Sequence, residues 1–378
     1  MNPWRVMLVA GEASGDMHAA ELVREIRRRV PDVEAFGFGG GQMIAAGVDV
    51  VQDLVSHAVI GVAEALRKLG DFYRILKRAE ALLVGRRPDV LVLIDFPDMN
   101  FRIAARAKAL GIRVVYYISP QVWAWRRGRV RTIKKIVDRM LVLFPFEESI
   151  YRDAEVPVTF VGHPLLDLAR PESDPAKART RLLGAGEGPL ISLLPGSRAQ
   201  EIELLLPVLC RAAKLIRTQK PGAVFFIPLA RTVSRERVEA ILRAEGLEAE
   251  LVTREPYACR AAADLALVAS GTATLETAIL GVPQVIVYRM HWLSYVLARL
   301  FVKMPYFGLA NVVAGQKAAP EFLQGQITPA ALAQAAEGLL SGSAADRQRS
   351  VWNQVRGRLG GPGAAGRAAE EVIREGHR

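Results

Sequence analysis

Cysteine is nearly absent from this chain of 378 residues, which contains only Cys210 and Cys259. The two residues form no CxxC pair, so the sequence supports neither a structural zinc site nor a disulfide framework. We expect both to be reduced thiols, as in a cytosolic protein. No cluster of Asp and Glu marks a magnesium site, and the sequence predicts no metal and no cofactor.

Long apolar runs are missing as well. No stretch reaches the roughly 20 apolar residues that a membrane-spanning helix requires. The N-terminus leads directly into the strand-like run from Trp4 to Ala10, without the basic and apolar segments of a signal peptide. These features predict a cytoplasmic protein that does not cross the membrane.

Acidic residues are outnumbered, because 39 Asp and Glu stand against 50 Lys and Arg, giving a formal net charge of +11 and a pI near 9.9. This balance favours an anionic partner such as nucleic acid, a phosphorylated metabolite or an acidic membrane surface. No RNA-binding signature accompanies the charge, so a nucleic-acid partner is not predicted.

Strand-like and helical runs alternate along the whole chain, and the strands are apolar on both faces. This pattern is typical of an α/β fold in which helices cover both sides of a parallel sheet. At this length two domains are expected. We predict doubly wound domains over 1–165 and 189–343, a Pro- and Gly-rich linker over 166–188, and a charged helical tail over 344–378 that is a candidate for packing back onto the first domain.

A turn of small residues in the predicted second domain carries the clearest sign of a ligand site. The segment SGTATLE follows an apolar strand and opens a helix. Unpaired backbone N–H groups and the helix dipole suit such a turn to a phosphate, and an acidic residue one turn in can accept hydrogen bonds from ribose hydroxyls. The alternative is a turn that only caps its helix. The predicted nucleotide-binding residues here are Ser270, Gly271, Thr272, Thr274 and Glu276.

A second turn of this kind follows the strand-like run 190–194. Gly196, Ser197 and Arg198 lie where the next helix begins, and the forked guanidinium of an arginine suits a diphosphate. Two anion-binding turns in one half of the chain predict one diphosphate held from two sides.

The first predicted strand is also followed by a small-residue turn, GEASGD. It lacks the GxGxxG spacing of dinucleotide sites, and no acidic residue ends the second strand, so a dinucleotide reductase is disfavoured. Ser14, Gly15 and Asp16 are candidates for contact with the acceptor or the donor sugar. The alternative is a tight strand-to-helix turn with Asp16 as the cap.

A carboxylate stands at the end of a buried strand in the predicted first domain. Asp95 follows the apolar run 90–94, and Asp98 lies three residues further on, where we expect it to be the N-cap of a helix. Asp95 has no such local role, so it is our candidate for a general base on a rigid element. The alternative is a buried hydrogen-bonding group.

Two segments combine apolar and basic residues. Trp123 and Trp125 precede a run of cations from Arg126 to Arg139, and the aromatic segment 292–307 carries Arg299 and Lys303. Both fit an anionic membrane surface. The first is also compatible with a solvated helix face, and the second with an acyl-chain pocket, a homodimer contact or a core helix.

Several motifs occur in order along nearly the whole chain: AGEASGD at 10–16, IDFPDMN at 94–100, SPQVWAW at 119–125, FPFE at 144–147, VGHP at 161–164, LPGSR at 194–198 and SGTATLE at 270–276. Together they resemble the lipid-A-disaccharide synthase family. The resemblance implies a glycosyltransferase-B fold, in which two Rossmann-like domains with parallel sheets face each other across a cleft that holds the active site.

The resemblance also implies roles for individual residues. The family's catalytic aspartate falls on Asp95, and its nucleotide-binding residues fall on Arg198, Glu276 and the turns around them. Asn311 matches the same nucleotide-binding set.

The segment after Asn311 departs from the family pattern in part. Relatives are expected to carry an Arg after Gly315, where this chain has Gln316 and then Lys317. Glu321 and Gln324 match the family's next helix.

The implied reaction transfers 2,3-diacylglucosamine from its UDP derivative to 2,3-diacylglucosamine 1-phosphate, with inversion, giving the β-1,6 disaccharide and UDP. Asp95 would take the proton of the acceptor 6-hydroxyl, while Arg198 and the two helix N-termini compensate the diphosphate charge without a metal. The implied partners are the UDP-sugar donor, the phosphorylated glycolipid acceptor and the cytoplasmic face of the bacterial inner membrane.

Two alternatives remain from the residues themselves. A UDP-N-acetylglucosamine epimerase has the same two-domain plan and needs no surface for acyl chains. A non-enzymatic membrane-surface binding protein would explain the charge, but it would not explain two phosphate-binding turns.

Overall fold

The computed structural model describes residues 3–55, 64–120, 122, 128–230, 232–290 and 305–378. The chain forms two compact units, one made of Met1–Pro164 and Leu359–Arg378, the other of Leu165–Arg358. Within the described ranges, no helix has both the length and the apolar composition needed to cross a membrane.

The first unit is built on a parallel sheet of seven strands, in the spatial order β3-β2-β1-β4-β5-β6-β7. In chain order they are β1 (Arg5–Ala10), β2 (Glu34–Gly39), β3 (Asp49–Asp53), β4 (Val90–Ile94), β5 (Arg113–Tyr117), β6 (Arg139–Val142) and β7 (Val158–Phe160). The central strand β4 is buried along its whole length, as its continuous apolar sequence predicts.

The helices of the first unit follow the strands and pack on the sheet. They are α1 (Ala13–Arg29), α2 (Gly41–Ala45), α3 (Glu64–Arg86), α4 (Pro97–Ala109), α5 (Arg129–Ile136), α6 (Pro145–Asp153) and, from the end of the chain, α16 (Ala364–Gly376). Met7 and Leu93 form a core with residues of α3, α4 and α5. Helix α16 packs against α1 and lies beside β4 and β5.

The second unit is built on a parallel sheet of six strands, in the order β10-β9-β8-β11-β12-β13. They are β8 (Leu190–Leu194), β9 (Val224–Pro228), β10 (Glu250–Val252), β11 (Leu265–Ala269), β12 (Gln284–Tyr288) and β13 (Glu321–Leu323). The described helices are α7 (Leu165–Leu168), α8 (Pro175–Leu183), α9 (Ala199–Gln219), α10 (Arg235–Glu245), α11 (Pro256–Ala261), α12 (Thr272–Ile279), α13 (Leu309–Ala314), α14 (Pro329–Leu340) and α15 (Ala344–Arg358), with a 3₁₀ turn at Gln324–Gln326.

The limits of the two units differ from the predicted domain limits. The segment 166–188, predicted as a linker, contains α7 and α8, and α8 packs against α11 within the second unit. The segment 344–378, predicted as one tail, is divided between the units. Helix α15 packs against α12 and α13, where the buried Trp352 donates its indole N–H to the Val282 carbonyl at 3.1 Å, while α16 belongs to the first unit.

The helix predicted around Glu321 and Gln324 is a strand followed by the 3₁₀ turn. Residues Glu321–Leu323 pair with β12, and Phe322 packs against the core of the unit. Pro320 lies just before this edge strand, a position that tolerates its missing N–H. This segment therefore forms an edge strand instead of the predicted helix.

Each sheet has one point where the order of strands reverses. In the first unit the chain moves outward from β1 and returns to β4 on its other side, and in the second it does the same between β8 and β11. Ala10 pairs with Ile94, and Leu194 pairs with Val268, so the two strands of each pair end level. Ligands of open α/β sheets bind in the crevice at such a switch point, and all the turns singled out in the sequence follow these four strands.

Candidate functional site

The turn after β1 lies directly beside the turn after β4. A Cβ atom on Gly11 would lie 2.5 Å from the ring of Phe96, so only glycine fits under this ring. Glu12 and Ser14 are exposed at the same edge, and Gly15 packs in ordinary contact with Ile94. The close packing of the two turns brings Glu12 near Asp95.

The carboxylate of Asp16 is used within the fold. Its buried carboxylate accepts hydrogen bonds from the backbone N–H groups of Gly40 (2.8 Å), Gln42 (2.9 Å) and Met43 (3.1 Å). It therefore satisfies the first turn of α2, where N–H groups have no partner within the helix. The helix that Asp16 caps is therefore α2 rather than its own, and the sugar contact predicted for this residue stays a prediction.

Asp95 and Phe96 form a strained turn between β4 and α4. Both have left-handed backbone angles, with φ of +46° and +47°, a conformation that non-glycine residues seldom adopt. The Asp95 carbonyl accepts hydrogen bonds from the Tyr116 hydroxyl at 2.5 Å and from Asn100 Nδ2 at 2.7 Å. Strain of this kind concentrates at functional sites.

The half-buried carboxyl group of Asp95 is a competent base near neutral pH. Burial, and then the negative charge of Glu12, raise the pKa of Asp95 to about 6, while the N–H of Phe96 acts in the opposite direction. Above that pH the group is ionised and still basic enough to accept a proton in a transition state.

Three other titratable residues of this unit, Asp98, His18 and His163, are paired or neutral. Asp98, predicted to be the N-cap, lies inside the first turn of α4, which begins at Pro97, and pairs with Arg129 at 2.7 Å. Burial lowers the pKa of His18 to about 4, so its imidazole is neutral at pH 7. Burial, and then the charge of His18, lower the pKa of His163 to about 3.

In the second unit, a turn with a left-handed glycine leads into the N-terminus of α12. Gly271 has a φ of +141°, and the described residues supply no hydrogen-bond partner for the N–H groups of Thr272 and Ala273. The Thr274 hydroxyl is buried between the Gly271 carbonyl (2.8 Å) and the Ala310 N–H (3.3 Å), and so it holds the turn. The Ser270 hydroxyl likewise donates to the Phe307 carbonyl at 2.8 Å.

The turn after β8 is already occupied by a carboxylate of its own. Glu201 accepts hydrogen bonds from the backbone N–H groups of Ser197 (3.0 Å) and Arg198 (3.3 Å). Gly196 lets it approach, because a Cβ at that position would lie 2.3 Å from a Glu201 oxygen. These N–H groups are therefore not the empty cradle that the sequence predicts, and the turn offers the Arg198 side chain, which is 83% exposed.

Glu276 stands one turn into α12 and is held by a buried ion pair. Arg260 donates to its Oε2 at 2.7 Å, and the Tyr257 hydroxyl donates to its Oε1 at 3.2 Å. Arg260 also contacts Thr277 at 3.0 Å. A carboxylate can accept about four hydrogen bonds, so Glu276 keeps capacity for ribose hydroxyls.

Asn311 is buried and its side-chain amide is fully used within the protein. Nδ2 donates to the Ala319 carbonyl (2.9 Å) and to Glu321 (2.8 Å), while Oδ1 accepts from the N–H groups of Ala318 and Ala319. The amide thus closes the loop between α13 and β13, and direct contact with a nucleotide would require it to break these bonds. Gln316 and Lys317 are exposed in the same loop.

Sequence reasoning missed three residues that shape these sites, Glu201, Tyr257 and Arg260, and it gave Glu321 no contact with Asn311. Only Glu201 gives a local signal, because an acidic residue at the third position of a helix is part of a capping box. The others act on residues far along the chain, and no short motif contains them.

The membrane segments are described only in part. Trp123, Trp125 and residues 292–304 lie outside the described residues. The structure therefore does not test the predictions made for them. In α5, Val130 and Ile133 are buried, while Arg131 and Lys135 are exposed, which agrees with an apolar stripe beside a basic face. No cluster of three or more metal-binding side chains occurs in the described part of the chain.

Solved structures share the fold of this chain. The MurG structure from Acinetobacter baumannii superimposes with a TM-score of 0.63 at 16% identity, covering 98% of this chain and 100% of that chain. A putative UDP-N-acetylglucosamine 2-epimerase from Listeria monocytogenes gives a TM-score of 0.64 at 12% identity, covering 99% and 95%. At these identities the likeness shows the fold alone, which is the glycosyltransferase-B fold.

Sequence comparison identifies the family. Residues 6–366 match the family model described as lipid-A-disaccharide synthetase. The chain is 44% identical over 374 residues to the lipid-A-disaccharide synthase of Myxococcus xanthus, and 43% identical over 374 residues to that of Syntrophus aciditrophicus, covering in both cases 98% of this chain and 97% of the relative. The chain, a glycosyltransferase, therefore belongs to the lipid-A-disaccharide synthase family.

Proposed function

We propose that this enzyme transfers 2,3-diacylglucosamine from its UDP derivative to the 6-hydroxyl of 2,3-diacylglucosamine 1-phosphate, with Asp95 as the general base. The observation that supports this assignment is a basic, half-buried carboxyl group at the switch point of the first sheet, on a backbone held in a strained conformation. The donor is assigned to the second unit and the acceptor to the first.

The reaction begins with the 6-hydroxyl group of the acceptor. As its 6-hydroxyl oxygen attacks the anomeric carbon of the donor, Asp95 accepts the hydroxyl proton, and the bond from that carbon to the diphosphate breaks. Attack from the face opposite UDP inverts the configuration and gives the β-1,6 linkage. A base of this strength contributes typically about 10²- to 10⁴-fold to such a rate.

The leaving UDP needs compensation of its negative charge. We assign this to the N–H groups of Thr272 and Ala273 at the start of α12, where the helix dipole is positive, and to the exposed guanidinium of Arg198. Glu276 is assigned to the ribose hydroxyls, with Arg260 holding it in place. Ser14 and Gly15 remain assigned to the sugar region beside Asp95.

Lipid substrates call for contact with a membrane. We propose that the protein binds the cytoplasmic face of the bacterial inner membrane peripherally, through cations that include Arg131 and Lys135 on α5. Both are exposed on the side of the helix away from the buried Val130 and Ile133. Basic residues near an anionic bilayer contribute about 1 kcal/mol each.

Incubation with both glycolipids, with and without a metal chelator, tests the reaction. We expect disaccharide and UDP in equal amounts, with no effect of the chelator. If the protein instead converts water-soluble UDP-N-acetylglucosamine alone and forms no disaccharide, it is an epimerase and the proposal is overturned.

A further inference from the structure

Tyr116 and Asn100 both donate hydrogen bonds to the peptide carbonyl of Asp95, at 2.5 Å and 2.7 Å. We infer that these two side chains are positioning residues for Asp95, which hold its left-handed peptide and thereby fix the direction of its carboxylate. The inference rests on the proposed role of Asp95 as the base, and it adds two residues to that site.

Asn100 spans the whole turn between β4 and α4. Its Nδ2 donates to the carbonyls of Ile94 (3.3 Å) and Asp95, and its backbone N–H donates to the carbonyl of Phe96 at 3.2 Å. Three consecutive carbonyls of the turn therefore bond to one residue. Removing the amide takes one donor from each of the two peptides that flank Asp95.

The oxygen of the Asn100 amide indicates that this residue acts through its donor groups. Its Oδ1 is buried and has no hydrogen-bond partner in the described part of the chain. An unsatisfied buried acceptor destabilises a protein, so an apolar side chain of the same shape would suit mere packing better. An apolar residue could not supply the hydrogen bonds that the amide donates to the turn.

Tyr116 reaches the same carbonyl from the neighbouring strand. It pairs with Leu93 in the sheet, is fully buried, and its ring packs edge-on against Phe101 at 5.9 Å between centroids. Burial and the charge of Asp95 raise the pKa of Tyr116 well above its usual value, so the hydroxyl keeps its proton and donates. A rigid ring thus fixes the hydroxyl that holds the turn.

A small displacement of Asp95 has a large expected effect. General-base catalysis needs the carboxylate within hydrogen-bond distance of the acceptor hydroxyl, and a misplacement of about 1 Å can lower a rate by about 10²-fold. Loss of either bond lets the peptide rotate out of the left-handed region, which a non-glycine residue does not otherwise favour.

The test compares Tyr116→Phe and Asn100→Ala with Tyr151→Phe. Tyr151 is an equally buried tyrosine of the same unit, but its hydroxyl bonds to Ser119 at 2.6 Å instead of Asp95. Turnover with both glycolipids is measured from pH 5 to pH 9, with UDP affinity by calorimetry and folding by circular dichroism and thermal unfolding.

For Tyr116→Phe we expect kcat to fall by about 10- to 100-fold, with the KM values and UDP affinity nearly unchanged. As the carboxylate moves toward water, the acid limb of the kcat profile should shift to lower pH. A merely structural role would lower thermal stability without moving that limb. Asn100→Ala should behave in the same way, and if it does not fold, Tyr116→Phe still decides.

Asp95→Asn in the same series separates the two claims. If Asp95→Asn is inactive while Tyr116→Phe matches Tyr151→Phe in kcat and in its acid limb, the positioning inference is overturned and the base assignment stands. If Asp95→Asn keeps near-normal turnover, the base assignment fails, and the inference fails with it.

Discussion

The switch-point turns of the two units are built from different residues. In the first unit the chain leaves β4 through Asp95 and Phe96, two non-glycine residues with positive φ. In the second unit it leaves β8 and β11 through Gly196 and Gly271, at φ of +121° and +141°. The backbone of the turn is thus strained in the first unit, whereas in the second unit glycine adopts a positive φ without that strain.

We attribute this difference to the group that each turn is proposed to place toward the ligand. A strained backbone costs a non-glycine residue about 1–3 kcal/mol, and glycine avoids that cost. Where backbone N–H groups bind the ligand, as proposed for α12, glycine is sufficient. Where a carboxylate is required at the turn, as proposed for Asp95, glycine cannot serve, and neighbouring side chains must hold the backbone.

The largest expected effect comes from removing the carboxylate in the first unit. Asp95→Asn keeps the side-chain shape and its backbone contacts, but it removes the base, and so kcat should fall by about 10²- to 10⁴-fold. UDP affinity, which we assign to the second unit, should not change. Turnover and UDP calorimetry measure the two effects, and Asp98→Asn is the control, since its exposed pair with Arg129 lies outside the turn.

The same assignment sets the pH dependence of the wild-type enzyme. The pKa of Asp95 is raised to about 6, so the base is increasingly protonated below that pH. We expect kcat/KM to fall as the pH is lowered through about 6, by tenfold per unit once well below it. A profile that stays flat down to pH 5 would contradict Asp95 as the base.

Arg198→Ala and Glu276→Ala test the nucleotide site proposed in the second unit. Each should weaken UDP binding by about 1–3 kcal/mol, the scale of a charged hydrogen bond. Arg211→Ala is the matched control, because it removes an exposed arginine of the same unit that pairs with Glu245. If both variants bind UDP as tightly as this control, the nucleotide site is misplaced.

Gly271→Ala tests the role of glycine in the second unit. No atom lies within 4 Å of the added Cβ, so the change acts on the backbone alone and should destabilise the protein by about 1–2 kcal/mol. Gly338→Ala in α14 adds a methyl group to equally open space in a helix, where it should be neutral or stabilising. Equal unfolding midpoints in urea for the two variants would show that the turn does not require glycine.

The smallest expected effect concerns the membrane. Lys135→Ala should weaken binding to anionic vesicles by about 1 kcal/mol at low salt. Arg243→Ala, which removes an exposed cation from α10 of the second unit, should leave it unchanged. Sedimentation with anionic and neutral vesicles measures both, and equal losses for the two variants would assign the binding to net charge rather than to α5.

Local patterns were sufficient to predict β1, β4, β8 and β11, the turns that follow them and the position of Asp95. An apolar run followed by small residues and a helical pattern specifies a strand, a turn and a helix, because each depends on neighbours in sequence. The resemblance to the family added Asn311, whose amide is used to close a loop.

The partners of the polar groups were decided by the tertiary structure. Asp16 caps a helix that begins 25 residues later, at Gly41, and Asp98 pairs with Arg129 instead of capping α4.

The physical reason is the same in each case. A sequence determines which N–H groups and carboxylates a helix end or a turn leaves without a local partner. Which distant group satisfies them depends on what packing brings within about 3 Å. The sequence therefore determined where the candidate sites lie along the chain, and only the folded structure decided which of their side chains already bond to other groups of the protein.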